Sequence, residues 1–142
     1  MRCYNDVIRA VVDTNVLVEG LGKKGPCGHV IDLWVARRFV PCVSTALALE
    51  YEEVLTRQGS SELKKRNALA LQALLTRAEF VPIFFTYRPQ SPDPGDDLVI
   101  DCVMNSGAGL VTSTVRDFRQ AAEKLGFSLW TPLDFILSLE KS

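Results

Sequence analysis

Short apolar runs of strand length recur along the chain, and stretches with helical periodicity separate most of them. The runs lie at residues 8–12, 39–43, 80–85, 110–112 and 128–130. Between them, apolar residues return every three or four positions, which is typical of helices that bury one face. Strands that alternate with helices predict a parallel sheet with helices on both of its faces. The pattern therefore predicts one α/β domain over residues 1–142, since no internal repeat or linker divides the chain.

Polar residues mark where several predicted helices begin and end. Ser44 and Thr45 can cap a helix that continues to about Arg57. Gly59 is followed by two serines, either of which can begin a second helix that runs toward Glu79. Residues 86–95 contain three prolines and a glycine and are predicted to form a loop.

The overall composition is that of an ordinary soluble globular protein. Of the 142 residues, 47% are hydrophobic and 23% are charged, and the formal net charge is −1. A chain with this balance has no global positive field that would attract nucleic acid. A polyanionic partner would therefore need local basic residues or a bound metal ion.

The cysteines and the N-terminal sequence favour a cytoplasmic protein. The four cysteines are scattered, form no Cys-x-x-Cys pair, and are expected to be buried or partly buried reduced thiols: Cys3, Cys27, Cys42 and Cys102. The N-terminus lacks the pattern of a secretory signal, and no apolar run is long enough for a membrane span, so no membrane association is expected.

Asp13 is the first candidate for a functional residue. With Thr14 and Asn15, it directly follows the first apolar run, so it is placed at the carboxyl edge of the predicted sheet. Open α/β folds have their binding sites at this edge. The same three residues also suit the N-cap of the helix that follows. Both interpretations of Asp13 remain open at this point.

Glu50 is the second candidate, because of its phase on the helix after Ser44. It falls roughly 60° from Leu47 around the helix, at about 100° per residue. Glu52 and Glu53 lie farther from the apolar stripe. Glu50 is therefore predicted to point toward the sheet edge, although a partly exposed flanking glutamate is the alternative.

Asp96 is the third candidate, at the start of a later helix. It precedes Val99, Ile100 and Val103 with the spacing of one helical face, so it begins the buried stripe. Asp97 instead shares its face with the later Asp101, and that face is predicted to be solvated. Either first-turn aspartate can simply stabilise the helix N-terminus, which is the stronger alternative for Asp97.

Asp117 is the fourth candidate and follows the strand predicted at residues 110–112. It can also cap the helix that ends near Leu125. Clustered carboxylates repel one another unless a cation neutralises them. Oxygen ligands without a cysteine or histidine cluster favour Mg²⁺ or Mn²⁺ over zinc, and His29 is expected to be structural or exposed.

At this point the sequence resembles the PIN-domain ribonucleases, specifically the single-domain bacterial branch often found as toxins of toxin–antitoxin pairs. The resemblance covers nearly the whole chain and rests on the order and spacing of several blocks. These blocks are VVDTNVLV at residues 11–18, VS at 43–44 with EYEEVL at 50–55, DPGDD at 93–97, LVT at 110–112 with VRDF at 115–118, and LWTPLDFI at 129–136.

The resemblance implies a three-layer α/β/α sandwich with a central, mainly parallel sheet. It implies a nuclease that uses Mg²⁺ or Mn²⁺ to cleave single-stranded RNA, with Asp13, Glu50 and Asp96 as the first three acids. Family members carry Asp or Asn two residues after the strand-ending Thr, or an acid slightly later. Here Thr114 has the earlier place and Asp117 the later one. Asp117 is thus the predicted fourth metal ligand, directly or through water.

The resemblance also implies an antitoxin partner and a homodimer. Five basic residues are candidates for phosphate contacts with RNA, although solvated helix faces are the commoner explanation: Arg37, Arg38, Lys64, Lys65 and Arg66. A PIN-like module with weakened catalysis, which binds RNA or protein, is the second hypothesis and is suggested by Thr114. A phosphorylatable receiver domain is a third, but no acidic residue lies between Asp6 and Asp13 to form its acidic pair.

Overall fold

A five-stranded parallel sheet forms the centre of the computed structural model, which describes residues 7–22, 25–87 and 94–141. All neighbouring strands are parallel, and their order across the sheet is 3-2-1-4-5. The strands are β1 (Arg9–Val12), β2 (Val40–Val43), β3 (Glu79–Phe80), β4 (Gly109–Val111) and β5 (Leu129–Trp130).

Helices connect the strands and cover the sheet. The described residues form α1 (Thr14–Leu21), α2 (Gly25–Val35), α3 (Thr45–Leu55), α4 (Ser61–Leu75), α5 (Pro94–Ser106), α6 (Val115–Leu125) and α7 (Pro132–Lys141). The chain adds β2 and β3 on one side of β1, then returns to add β4 and β5 on the other. Right-handed crossovers in opposite directions lead to helices on both faces, which confirms the predicted three-layer α/β/α arrangement.

The predicted helix starts at the serines are confirmed. Ser44 is the N-cap of α3, where its Oγ accepts a hydrogen bond of 3.0 Å from the backbone N–H of Leu47. Ser60 is the N-cap of α4, with a corresponding bond of 3.1 Å from Leu63. Each cap satisfies one of the backbone donors that a helix N-terminus leaves without an intrahelical partner.

The strand predicted at residues 80–85 is mostly wrong, because β3 ends at Phe80. Pro82 has no N–H to donate to a neighbouring strand, so it opposes continuation of the ladder. Phe84 is apolar but 82% exposed, so it is not a buried strand residue. Residues 81–87 instead have no regular secondary structure.

This irregular segment lies against one polar face of α5. The side chain of Asn105 accepts from the N–H of Phe84 at 3.0 Å and donates to the carbonyl of Phe85 at 2.9 Å. Asp101 accepts from the N–H of Tyr87 at 2.9 Å. Asp97 and Asp101 are only 5% and 4% exposed, so the prediction that their face is solvated is wrong. Asp101 and Asn105 make this face of α5 polar, and they bind the backbone of residues 84–87.

Aromatic and sulfur-containing side chains contribute to a continuous buried core. Trp34 is fully buried, and its indole N–H donates to the carbonyl of Leu74 at 2.9 Å, which ties α2 to the end of α4.

Cys27, Cys42 and Cys102 are buried and free of disulfides, as expected, whereas Cys3 lies outside the described residues. Of the predicted loop, residues 88–93 also lie outside them, and α5 begins at Pro94. Within the described ranges, no helix is long and apolar enough to cross a membrane.

Candidate active site

Asp13 lies at the point where the order of the sheet reverses. It directly follows β1, which has β2 on one side and β4 on the other. Its backbone N–H donates to the carbonyl of Val111 at 2.9 Å, so pairing with β4 continues to this residue. Open parallel sheets bind ligands at such a topological switch point, outside the carboxyl ends of the strands. Asp13 is nevertheless only 4% exposed.

The carboxylate of Asp13 does not cap the helix that follows it. Asp13 occupies the N-cap position of α1, but its side chain makes no cap hydrogen bond. Its Oδ2 instead accepts a hydrogen bond of 2.8 Å from the hydroxyl of Thr112. The carboxylate is therefore directed toward the end of β4, and the capping interpretation of its side chain is wrong.

Thr112 links Asp13 to the loop that starts α6. It is fully buried, and its Oγ1 accepts from the N–H of Thr114 at 3.1 Å. The two threonine hydroxyl oxygens lie 3.2 Å apart. Because Thr112 has one hydroxyl hydrogen and donates it to Asp13, Thr114 must be the donor in this contact. Thr114, at one of the two positions where the resemblance implies a fourth acid, thus connects to Asp13 through one intervening hydroxyl.

Three of the four predicted acids line one cleft at the carboxyl edge of the sheet. Its volume is about 430 Å³. The lining residues are Asp13, Thr14, Asn15, Glu50, Val54, Arg57, Gly95 and Asp96. The acids come from three separate elements, namely the end of β1, the middle of α3 and the first turn of α5. The structure therefore brings together the acid predicted from its strand-end position, Asp13, with the two predicted from helical phase, Glu50 and Asp96.

The orientation of α3 explains why Glu50 reaches the cleft. Leu47 and Tyr51 on the same helix are fully buried, and Glu50 and Val54, at the edge of their stripe, are half-buried. Glu52 is exposed on another part of the helix. The predicted inward phase of Glu50 is thus consistent with its observed position.

A buried tyrosine fixes α3 against the end of β1. The hydroxyl of Tyr51 donates to the carbonyl of Val12 at 2.6 Å, one residue before Asp13. Burial raises the pKa of the Tyr51 hydroxyl well above its ordinary value, so the group stays protonated and remains a donor. This bond joins the element that carries Glu50 to the one that carries Asp13.

Asp117 is placed differently from the other three acids. It lies in the first turn of α6, is exposed, and is not among the residues that line the cleft. The structure reveals two further residues of the site, one in the cleft and one behind it, that the sequence does not indicate. Arg57 lines the cleft, and Thr112 orients Asp13. The sequence indicates that Thr112 ends a strand, but it does not indicate that the hydroxyl of Thr112 binds Asp13.

The donor set of the cleft suits a hard divalent cation. In the part of the chain that the structure describes, no three acidic, cysteine or histidine residues are already close enough to hold a metal ion. Mg²⁺, however, keeps several waters and takes only one or two carboxylates directly. Asp13, Glu50 and Asp96 offer oxygen donors alone, which fits Mg²⁺ or Mn²⁺ better than zinc.

The sheet is parallel, its strand order is 3-2-1-4-5, and a carboxylate-lined cleft lies at its switch point. These features define an open α/β protein with its candidate site at the carboxyl edge of the sheet. The family model described as the PIN domain matches residues 9–115, which is most of the chain. The chain belongs to the PIN-domain family.

Solved structures of low sequence identity share this fold. One is VapBC2 from Rickettsia felis bound to a DNA fragment from their promoter, with a TM-score of 0.65 and 17% identity, covering 87% of this chain and 98% of the other. Another is VapBC-1 from nontypeable Haemophilus influenzae, with a TM-score of 0.59 and 12% identity, covering 89% and 99%. A search of curated proteins found no match.

Proposed function

We propose that this PIN-domain protein is an endoribonuclease that hydrolyses phosphodiester bonds of single-stranded RNA with Mg²⁺ or Mn²⁺. Asp13, Glu50 and Asp96 are the proposed metal ligands. The observation that carries this proposal is their common cleft, together with the burial of Asp13 at the switch point of the sheet. Asp117, exposed at the start of α6, is proposed to contribute through a bound water.

Several residues of the chain prepare this cleft for the reaction. The chemistry that a bound divalent cation supplies is activation of water and neutralisation of charge on the phosphate. Thr112 holds Asp13 in one orientation, so the carboxylate needs little rearrangement to act as a ligand. Tyr51 fixes the distance between α3 and β1. Arg57 adds a guanidinium to the cleft, where it can bind a phosphate oxygen.

We further propose that the protein is the toxin of a toxin–antitoxin pair and acts in the cytoplasm. The two solved structures described above are of VapBC proteins, and the sequence resembles single-domain bacterial PIN ribonucleases. An antitoxin that covers the acidic cleft is the proposed partner. Expression of this chain in bacteria, with and without a small protein encoded beside it, tests the role. The toxin role is supported if the chain alone arrests growth and the neighbouring protein relieves the arrest. It is contradicted if an active chain is expressed without harm.

A homodimer is part of the same proposal. Leu49 on α3 and Leu69 on α4 are 59% and 66% exposed, and they line a shallow surface between these helices. Covering such side chains is favourable in water. Sedimentation equilibrium of the wild type and Leu69→Glu tests the dimer: a dimer that the substitution dissociates supports it, and a monomeric wild type contradicts it.

Cleavage of a labelled single-stranded RNA by the wild type and Asp13→Asn tests the catalytic proposal. We expect the wild type to cut with Mg²⁺ or Mn²⁺ and to stop with a chelator, and Asp13→Asn to be inactive with an unchanged circular dichroism spectrum. Glu52→Gln removes an exposed acid from the same helix as Glu50 and should cut normally. Unchanged cleavage by a clean Asp13→Asn preparation contradicts the assignment.

The alternative is a PIN-like binding module with weakened catalysis. The observation that favours it is Thr114, a hydroxyl at the place of the family's fourth acid. Calorimetric titration with Mn²⁺ separates the two functions. A saturable site that Asp13→Asn abolishes supports the nuclease, and RNA binding without a saturable metal site supports the module.

A further inference from the structure

A second groove adjoins the acidic cleft. Its volume is about 680 Å³, and it lies between α1, the end of α3 and the start of α4. Val54 and Arg57 line both the groove and the cleft. Because the two depressions share these residues, an extended ligand in the cleft has a continuous path into the groove.

The chemistry of the groove differs from that of the cleft. Among the residues that the structure describes, its charged side chains are the guanidinium groups of Arg57 and Arg66, and no carboxylate lines it. The amide side chains of Gln58 and Asn67 add hydrogen-bonding groups. The remaining lining is mainly apolar and comes from Val18, Leu21, Val54, Leu55 and Leu63. A cation-bearing groove with an apolar floor therefore lies next to a cleft with three acids.

The groove is held in place by contacts outside the acidic cleft. The side-chain amide of Asn67 donates to the carbonyl of Leu55 at 3.1 Å, which ties α4 to the end of α3. Arg57 contacts Glu53 at 3.4 Å, and both side chains are more than half exposed. Exposed pairs of this kind contribute little to stability. The guanidinium of Arg57 can therefore exchange this contact for a phosphate at little cost.

We propose that the groove binds the nucleotides beside the cleaved bond, with Arg57 and Arg66 on backbone phosphates and the apolar floor under a base. This inference rests on the proposed ribonuclease function and names the positions that bind its substrate. The net charge of −1 gives the chain no global attraction for RNA, so a local cationic path is required. Single-strand binding sites commonly pair a cationic track with apolar or aromatic surfaces under the bases.

Arg57→Ala, Arg66→Ala and the double variant test this path. The substrate is a single-stranded RNA of about ten nucleotides, and the readouts are KM, kcat and the dependence of RNA binding on salt concentration. The logarithm of the RNA association constant falls linearly with the logarithm of the salt concentration. Each lost phosphate contact should reduce the magnitude of this negative slope by about 0.7 for a single strand. We expect the double variant to raise KM by about tenfold or more, with a smaller change in kcat.

Two matched controls separate this role from general effects of charge and of the ion pair. Lys124→Ala removes a cation from an exposed position in the last turn of α6, which lines neither the groove nor the cleft. Glu53→Gln breaks the contact with Arg57 but keeps the guanidinium. Both controls should bind RNA with the salt slope and KM of the wild type. Circular dichroism of each variant checks folding.

The outcomes distinguish this inference from the proposed function. If the wild type cuts RNA and the double variant matches Lys124→Ala in KM and salt slope, the groove is not an RNA path, although the nuclease stands. If the double variant cuts normally but loses inhibition by a co-purified protein, the groove binds a peptide, and the inference is again overturned. If the wild type neither binds nor cuts RNA, the proposed function itself fails.

Discussion

Thr112 donates its hydroxyl hydrogen to Oδ2 of Asp13 at 2.8 Å, and so joins the end of β4 to the end of β1 across 99 positions of sequence. Both residues are buried, at 0% and 4% exposure. A hydrogen bond in this setting fixes the orientation of a carboxylate far more firmly than one at the surface. The position of the first acid therefore depends on a residue that is itself uncharged.

Thr112→Val should weaken the metal site without removing any acid. Partners of this kind typically change metal affinity or activity by about 10- to 100-fold. The substitution also takes the hydroxyl donor from the buried carboxylate of Asp13, which should cost about 1–3 kcal/mol of unfolding free energy. Mn²⁺ calorimetry and urea denaturation measure the two effects. Thr112→Ser keeps the hydroxyl and should restore most of the affinity, and a valine variant with wild-type affinity contradicts this role.

Glu50→Gln should reduce RNA cleavage by at least about 100-fold, because loss of a proposed ligand removes charge stabilisation from the cleft. Glu52→Gln is the matched control, since Glu52 lies two residues away on an exposed part of α3. Rates with Mn²⁺ at saturating RNA compare the two. Equal cleavage rates for the two variants would show that the carboxylate of Glu50 does not contribute to catalysis.

Thr114→Asp should strengthen binding of Mn²⁺. The hydroxyl of Thr114 lies 3.2 Å from that of Thr112, which in turn contacts Asp13. A carboxylate here would repel Asp13 when no cation is bound and would share a cation when one is. We therefore expect a lower Tm without metal and a larger rise in Tm on adding Mn²⁺, measured by thermal unfolding. Thr114→Asn, which adds no charge, is the control and should lack the larger rise.

Stability should fall at alkaline pH because of two buried thiols. Burial raises the pKa of Cys42 to about 11 and that of Cys102 to about 12, from an ordinary value of 9.0. A raised pKa in the folded protein means that the unfolded chain loses its protons first. The contribution to stability is therefore complete below about pH 9 and is lost as pH rises through 11–12.

Urea denaturation at pH 8, 10 and 11 measures this loss. The Cys42→Ala/Cys102→Ala variant starts from a lower stability because it leaves small cavities. It should nevertheless lose less stability than the wild type between pH 8 and pH 11. Parallel losses in the two proteins would contradict a role for the thiols.

Local patterns in the sequence were sufficient for most of the sheet and for three of the candidate acids. The apolar stripe that contains Leu47 and Tyr51 predicted the face of α3, and Glu50 followed from its angle to that stripe. The position of Asp96 followed in the same way from Val99 and Ile100. The positions of Glu50 and Asp96 in the cleft agree with this phase, because helical periodicity is set by residues close together in sequence.

The predictions that failed depended on partners distant in sequence. The acidic face of α5 looked solvated because nothing nearby indicates that Asp101 accepts from the backbone of Tyr87. Thr112 was missed because its role requires knowledge that β4 lies beside β1. An apolar run such as residues 80–85 also cannot distinguish a buried strand from an irregular segment with an exposed Phe84.

The contacts of Asp101 and Asn105 with residues 84–87 have a consequence for how this protein tolerates change. These bonds set the axial position of α5, the helix whose first turn carries Asp96. A shift of one residue along α5 would move its start by about 1.5 Å and turn it by about 100°. Insertions or deletions between Phe84 and Tyr87 therefore alter the geometry of the cleft without changing the identity of any residue that lines it.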